Sequence, residues 1–426
     1  MHLLSSRRWR AAAAGVVAFA FALAGCSAEP TETYTPPAQV EGDLPEDMVA
    51  QLQAAVENAM AATGSTGAIV GVWVPWSGSW VTGIGTQAVD DDTPVTTDMS
   101  FRIADVTRLM TCDVLYGLVD DGIVELDAAV PDYVSGVADL EGITLLDLCN
   151  GTGGIGSSES KVKSAWLNTP AREWAPLELA GYGLGAESST PHTQWRDSDA
   201  GYLVLGLALQ RASGMSASAL IEKYVATPLG LEETSLPGKT AAEPSEGSSL
   251  NGYYSNQVDG GYDCSAPVDI TVSSSSMGFT DSGAVSTIEE LGRYVQATAA
   301  QALRDDDAEP YRFENPLPVS SDAPSWYQAT GGAFLVGSMI GGHGWTAGYM
   351  TAAYSDPETG FTVAVTLNNS SQGGSIAGYL AWELAAIASK APAAEGQTAP
   401  EFGLPFTAEQ YHQVISDRAI CATTGE

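Results

Sequence analysis

Nucleophilic or acid–base catalysis needs a reactive side chain within reach of a group that can take its proton. Histidine is scarce: His2, His192, His343 and His412. His192 precedes Gln194-Trp195 in a polar, loop-like stretch and reads as a surface residue, and His412 lies in the tail. That leaves His343, in Gly342-His343-Gly344, ahead of a strand pair. A Ser–His–Asp triad would need its serine on a strained strand-to-helix turn, and no Gly-x-Ser-x-Gly occurs. The serine runs at 157–160 and 273–276 read as linkers. Cys112, Cys149, Cys264 and Cys421 are too widely spaced for a zinc site of the Cys-x-x-Cys kind. Disulfides are expected instead, Cys112 with Cys149 and Cys264 with Cys421, among the three pairings that four thiols allow.

The fifth cysteine has another context. Arg7, Arg8 and Arg10 precede an apolar run over 11–23, of signal-peptide length and too short to span a bilayer. It ends in Leu23-Ala24-Gly25-Cys26, which looks like the lipobox of bacterial lipoproteins, whose Cys is diacylated and becomes the new N-terminus. Residues 1–25 are therefore expected to be a leader and 26–47, rich in Pro, Thr and Glu, a flexible tether. Residues 48–390 would form the domain and 391–426 an extension docked on it. This predicts an exported protein on the outer face of the membrane, held by lipid at Cys26. The chain carries 17 Lys+Arg against 52 Asp+Glu, a formal charge of −35. Such an acidic surface excludes nucleic acid as a partner, and the residues call for no cofactor or metal.

Helices are predicted over 48–62, ending before Gly64, over 106–121, ending at Gly122, over 202–212 before Gly214, and over 376–389. Runs 68–74 and 80–84, joined by Pro75-Trp76-Ser77-Gly78, read as one hairpin, and 349–354 with 361–367 as a second. A strand pair and helix at each end with helices between them predict an α+β fold.

Text over 48–385 resembles the beta-lactamase family, which includes class C β-lactamases, D-alanyl-D-alanine carboxypeptidases and related esterases. The resemblance rests on Phe101-Arg102-Ile103, Leu118-Val119-Asp120-Asp121-Gly122, Gly151-Thr152-Gly153-Gly154, Gly201 to Gly206, Pro228-Leu229-Gly230-Leu231, Gly283 to Leu291 and Gly342-His343-Gly344, in the family's order. It implies an antiparallel sheet flanked by helices, with a mostly helical lobe and the site between them. It also implies a Ser-x-x-Lys at the head of a buried helix, a Tyr-x-Asn, and a strand motif such as Lys-Thr-Gly or His-x-Gly.

The motif positions depart from that pattern. Asp105 stands at the nucleophile position, Arg108 at the lysine, and Asp197-Ser198-Asp199 at Tyr-x-Asn. In the strand motif the glycine is either Gly344, or Trp345 takes its place and narrows the pocket. Carboxylate attack on an acyl carbon gives a poor mixed anhydride, and Arg stays protonated, so it cannot act as base. Three residues apart on a helix, Asp105 and Arg108 are expected to pair. The leading reading is a family scaffold without acyl-transfer activity, whose old cleft could take a cell-wall peptide or another small ligand, with Trp166, Trp174, Trp195 and Trp345 as a candidate rim. One alternative is an active serine hydrolase of esterase, carboxypeptidase or β-lactamase type using relocated residues. Another is a surface-interaction lipoprotein with a plugged cleft. Asp105, Asp197 and Asp199 together could instead hold a hard cation or an ammonium group.

Overall fold

The computed structural model describes residues 34–421 apart from 138, 139, 306, 307, 309 and 402. The leader and the lipobox at Cys26 lie outside the described residues.

A nine-stranded antiparallel sheet forms the frame. Its spatial order is Leu317–Pro318, Tyr327–Thr330, Ala333–Val336, Met339–Thr346, Tyr349–Ser355, Thr362–Leu367, Gly67–Val74, Gly78–Ala88 and Asp91–Pro94. The last long strand of the chain thus pairs with the first, Ala68 opposite Leu367 and Trp73 opposite Thr362. Tyr349–Ser355 and Thr362–Leu367 are buried at every position. Helices cover both faces of the sheet, which is why these strands read as near-continuous apolar runs rather than as alternation. Ser375–Ala388 and Glu46–Thr63 pack together on one side, and Ile288–Ala299 lies against the central strands on its own. The helical lobe contains Thr107–Asp120, Glu159–Asn168, Pro176–Leu184 and Asp199–Ser213. This is the α+β architecture expected from the sequence.

Thr107–Asp120 carries both chemistry and structure. Eleven of its residues are buried, including Arg108 and Asp113. Asp113 accepts from Tyr294 Oη at 2.6 Å and pairs with Arg312, whose remaining donors hold Leu109 O at 2.8 Å and Gly331 O at 2.9 Å. A paired, fully hydrogen-bonded charge of this kind can stay buried. It fixes the helix against the turn that leads into strand Ala333–Val336.

Both expected disulfides form, Cys112–Cys149 with Cα atoms 5.6 Å apart and Cys264–Cys421 at 5.8 Å. The second ties down a tail whose helix, Ala408–Asp417, packs on Ser375–Ala388 and Glu46–Thr63. His412 Nδ1 meets Glu383 at 2.9 Å in that contact.

Three expectations change. Residues 34–47 were predicted to be a loose tether, but Val40 N donates to Pro75 O at 3.1 Å, Gln39 Nε2 to Val74 O and Gly78 O at 3.0 Å, and Leu44 is buried. The 273–276 run is no linker: Ser275 Oγ and Ser273 O accept from the buried Arg102 at 2.6 and 2.8 Å. In the 157–160 run, Ser158 is fully buried. Hydroxyl-rich text looks like loop by composition, yet it supplies acceptors that an interior guanidinium needs.

Replacing Cys264 and Cys421 together by Ser should lower unfolding free energy by ~2–4 kcal/mol, since that bridge closes a long loop. Urea denaturation followed by tryptophan fluorescence measures this, and an unchanged midpoint would show that the tail docks without it.

Candidate functional site

The site begins at a bend in the backbone. Strand Phe101–Arg102 ends, Ala104 adopts φ of +50°, and a single 3-10 turn, Ala104–Val106, leads into helix Thr107–Asp120. A left-handed alanine is costly and persists only where its surroundings enforce it. Here it sets Asp105 at the head of the buried helix, directed at strand Met339–Thr346. The approach is so close that a Cβ built on Gly344 would lie 2.1 Å from the Asp105 carboxyl carbon. Gly344, and not Trp345, is therefore the residue of this strand that faces Asp105.

Arg108 does not pair with Asp105 alone. Its Nη2 stands 3.4 Å from Asp105 Oδ2, its Nη1 2.7 Å from Asp197 Oδ1, and its Nε 2.7 Å from Asp281 Oδ1. The guanidinium also lies 5.0 Å from the centre of the Tyr202 ring, whose hydroxyl donates to Cys149 O at 2.9 Å. Asp281 was not anticipated. It comes from the short helix Phe279–Ser282, held against Thr107–Asp120 by Thr111 Oγ1 donating to Thr280 O at 2.6 Å. No spacing rule joins residues 173 positions apart; only the need to balance a buried Arg108 could have pointed to it.

Asp199 does not join this group. Its carboxylate accepts from Ser157 Oγ at 2.8 Å, from Ser158 N at 2.7 Å and from Ser158 Oγ. Asp105, Asp197 and Asp199 therefore do not converge as a cation or ammonium site would require. Asp197 is largely exposed, whereas Asp105 and Asp281 are enclosed.

Enclosure shapes the electrostatics. Burial outweighs the attraction of Arg108 and holds the Asp105 carboxyl well above its ordinary value. Burial likewise pushes Asp281 up to about 6. Arg108 moves further up, because the attraction of the surrounding carboxylates exceeds its desolvation. One permanent cation does not offset the burial of the enclosed acids, so Asp105 and Asp281 hold their protons to higher pH than an ordinary carboxyl does.

His343 points the other way from its glycine neighbours, as alternation along a strand requires. Its Nδ1 lies 2.5 Å from Tyr354 Oη, and its ring stacks 4.7 Å from Phe334 and meets Trp382 edge-on at 5.7 Å. Burial pushes its pKa down to about 4, so it is a neutral packing residue near pH 7. His192 is exposed as expected and touches Asp147 at 2.8 Å.

The four tryptophans separate. Trp345 is buried, packs 6.2 Å from Trp166, lies under the Lys163 ammonium at 4.2 Å and donates to Glu159. Strand and helix Glu159–Asn168 thus meet directly. Trp195 packs edge-on to Phe334 at 5.5 Å and lines what remains of the cleft. Trp174 is buried against Arg172 and does not line it. The cavity bounded by Asp105, Arg108, Trp195, Tyr202, Phe334 and His343 measures about 10 Å³. That is room for about one water, far below the several hundred Å³ of ordinary ligand sites. Among the described residues, no Ser or Thr hydroxyl is hydrogen-bonded to a Lys or His side chain.

Residues 52–386 match the family model for Beta-lactamase. The chain belongs to the beta-lactamase family. The D-alanyl-D-alanine-carboxypeptidase/endopeptidase AmpH of Escherichia coli K12 is 30% identical over 149 residues, 32% of this chain and 37% of that protein. Penicillin-binding protein 4* of Bacillus subtilis is 25% identical over 157 residues, 35% of this chain and 33% of its own length. The matched stretches thus span about a third of these curated relatives. Among solved structures, a D-stereospecific amidohydrolase from Streptomyces superposes with TM-score 0.65 at 22% identity, covering 75% of this chain and 94% of that one. A D-amino acid amidase from Ochrobactrum anthropi gives 0.63 at 20% identity, over 76% and 92%. These establish the beta-lactamase-type fold.

The cluster makes a stability prediction with a definite sign. A carboxyl whose folded pKa is raised stabilises the fold below its unfolded pKa and loses that contribution as pH rises through the folded value. Neutral His343 acts with the opposite sign between about pH 4 and 6.5, so the measurement is a difference between variants. Relative to the parent, Asp105→Asn should gain stability as pH rises from about 4 through 7, since the parent alone must ionise a buried acid. Arg108→Met should cost ~3–5 kcal/mol at pH 7, because it leaves enclosed carboxylates without a cation. Urea titrations at several pH values check both. An Asp105→Asn difference that is flat with pH would show that Asp105 titrates normally.

Proposed function

We propose that this family member is a scaffold without serine acyl-transfer activity, exported and held by lipid at Cys26, with its cleft filled rather than vacant. The observation that carries the reading is the Arg108 guanidinium divided among Asp105, Asp197 and Asp281 in a cavity of about 10 Å³. A hydroxyl nucleophile and a base able to accept its proton are both absent from these positions. The relatives named for D-amino-acid and D-alanyl-D-alanine chemistry indicate the substrate class from which such a scaffold would have departed. The filled cavity favours function at the surface over binding of a cell-wall peptide in the old cleft.

The protein should give no covalent adduct with a fluorescent penicillin, read by intact mass. Asp105→Ser with Arg108→Lys should stay silent as well, because Asp197 and Asp281 would keep the new ammonium protonated. A mass gain of one drug molecule on the unaltered chain would end the proposal. For the anchor, Cys26→Ser should shift the protein from the membrane fraction to the soluble one, and unchanged partitioning would exclude lipidation at that residue.

A further inference from the structure

The docked segment at 34–40 builds a second concavity, outside the old cleft. Tyr34 Oη donates to Gln296 Oε1 at 3.3 Å, and Arg293 Nη2 donates to Tyr34 O at 3.1 Å. Gln296 Nε2 in turn holds Gly360 O at 2.8 Å. With Gln39 bonded to the first hairpin, the segment closes one wall of a cavity of about 390 Å³. That lies within the range of small-molecule sites and far exceeds the space left at Asp105.

The lining is mixed. Pro36, Pro37 and Trp73 provide apolar surface, and Gln39, Glu289 and Arg293 provide polar groups. The Trp73 indole occupies space left by two glycines: a Cβ on Gly71 would stand 2.1 Å from it, and one on Gly292 2.5 Å. Glu289 and Arg293 are four apart on helix Ile288–Ala299 and so lie on one face. They nevertheless do not form an ion pair with each other. Arg293 is positioned by two backbone carbonyls, Nε donating to Leu229 O at 2.7 Å and Nη2 to Tyr34 O, which leaves further N–H donors of its fork uncommitted. Glu289 is exposed at the rim of the cavity, its carboxylate makes no hydrogen bond or ion pair among the described residues, and partial burial raises its pKa above the ordinary value. Its neighbour Glu290 differs: it accepts from Glu232 N at 2.7 Å and Thr234 Oγ1 at 2.6 Å, and is fully engaged in the fold.

We infer that this cavity is a binding site for a small zwitterion, a free amino acid or unblocked dipeptide, with its ammonium on Glu289 and its carboxylate on Arg293. An uncommitted anion and a partly uncommitted cation, adjacent but unpaired, match a ligand carrying one charge of each sign. The Trp73 and proline surface takes its apolar part. The inference is independent of whether the old cleft is silent.

The test uses the full-length chain and glycylglycine, with N-acetyl-glycylglycinamide as the doubly blocked control, read by calorimetry and thermal shift. Glycylglycine should bind and raise the melting temperature, and the blocked peptide should not. Glu289→Gln should weaken binding by about tenfold or more while leaving the melting temperature of the free protein unchanged, because Glu289 holds no partner in the fold. Arg293→Lys should weaken it as well, and Asp105→Asn should leave it intact. No binding up to about 10 mM, equal binding of the blocked peptide, or loss on Asp105→Asn in place of Glu289→Gln would each overturn the inference.

Discussion

A guanidinium cannot release its proton under any condition the fold survives, and Arg108 places one at the point where helix, sheet and lobe come together. Its three carboxylate partners arrive from three separate stretches of chain: Asp105 from the helix head, Asp197 ahead of the next lobe helix, and Asp281 from the short helix behind. Three features of the site serve that cation. Asp105 is drawn against Gly344, Tyr202 is laid beneath the guanidinium, and Phe279–Ser282 is held against the long helix. A buried ion cluster is weak evidence for stability, because desolvation offsets much of the attraction. What it does provide is a unique arrangement, since any displacement leaves an enclosed charge without a partner.

Much of this was legible in the sequence. The central strands declared themselves because both faces are covered, which turns their text into apolar runs. Asp105 and Arg108 were legible because helical spacing is a local rule, and both disulfides agree with the pairing expected. What escaped detection was non-local. Asp281 meets Arg108 across 173 residues, and Asp199 turns to Ser158 across 41, so neither partner can be read from neighbouring text. Segment 34–47 was misjudged for a related reason. Its composition is that of a linker, and its order comes from hydrogen bonds to a hairpin and a helix that composition does not register.

His343 shows the same limit from the other side. Its motif setting marked it as a cleft residue, and its ring does border the remaining cavity, but there it is locked among Phe334, Tyr354 and Trp382. There an imidazole serves as a flat polar ring with one hydrogen-bond partner. A motif match fixes a residue's position along a strand. The side to which it points depends on register, and register is set by the partner strand.

The filled cleft is closed twice, by two devices that do not depend on one another. Charge closes it at Arg108, where an opened site would still lack a proton acceptor. Shape closes it in the cavity of about 10 Å³ left among Asp105, Trp195, Tyr202, Phe334 and His343, while Trp345 joins strand to lobe through Trp166, Lys163 and Glu159. Acyl transfer needs its reacting atoms about 3 Å apart with a path of approach between them, and each device alone removes one of those conditions. Restoring a hydroxyl at position 105 would therefore recover the nucleophile while leaving both the proton problem and the steric problem in place. Under the proposed reading, this redundancy makes the absence of acyl transfer a property of the whole cleft and not of one residue.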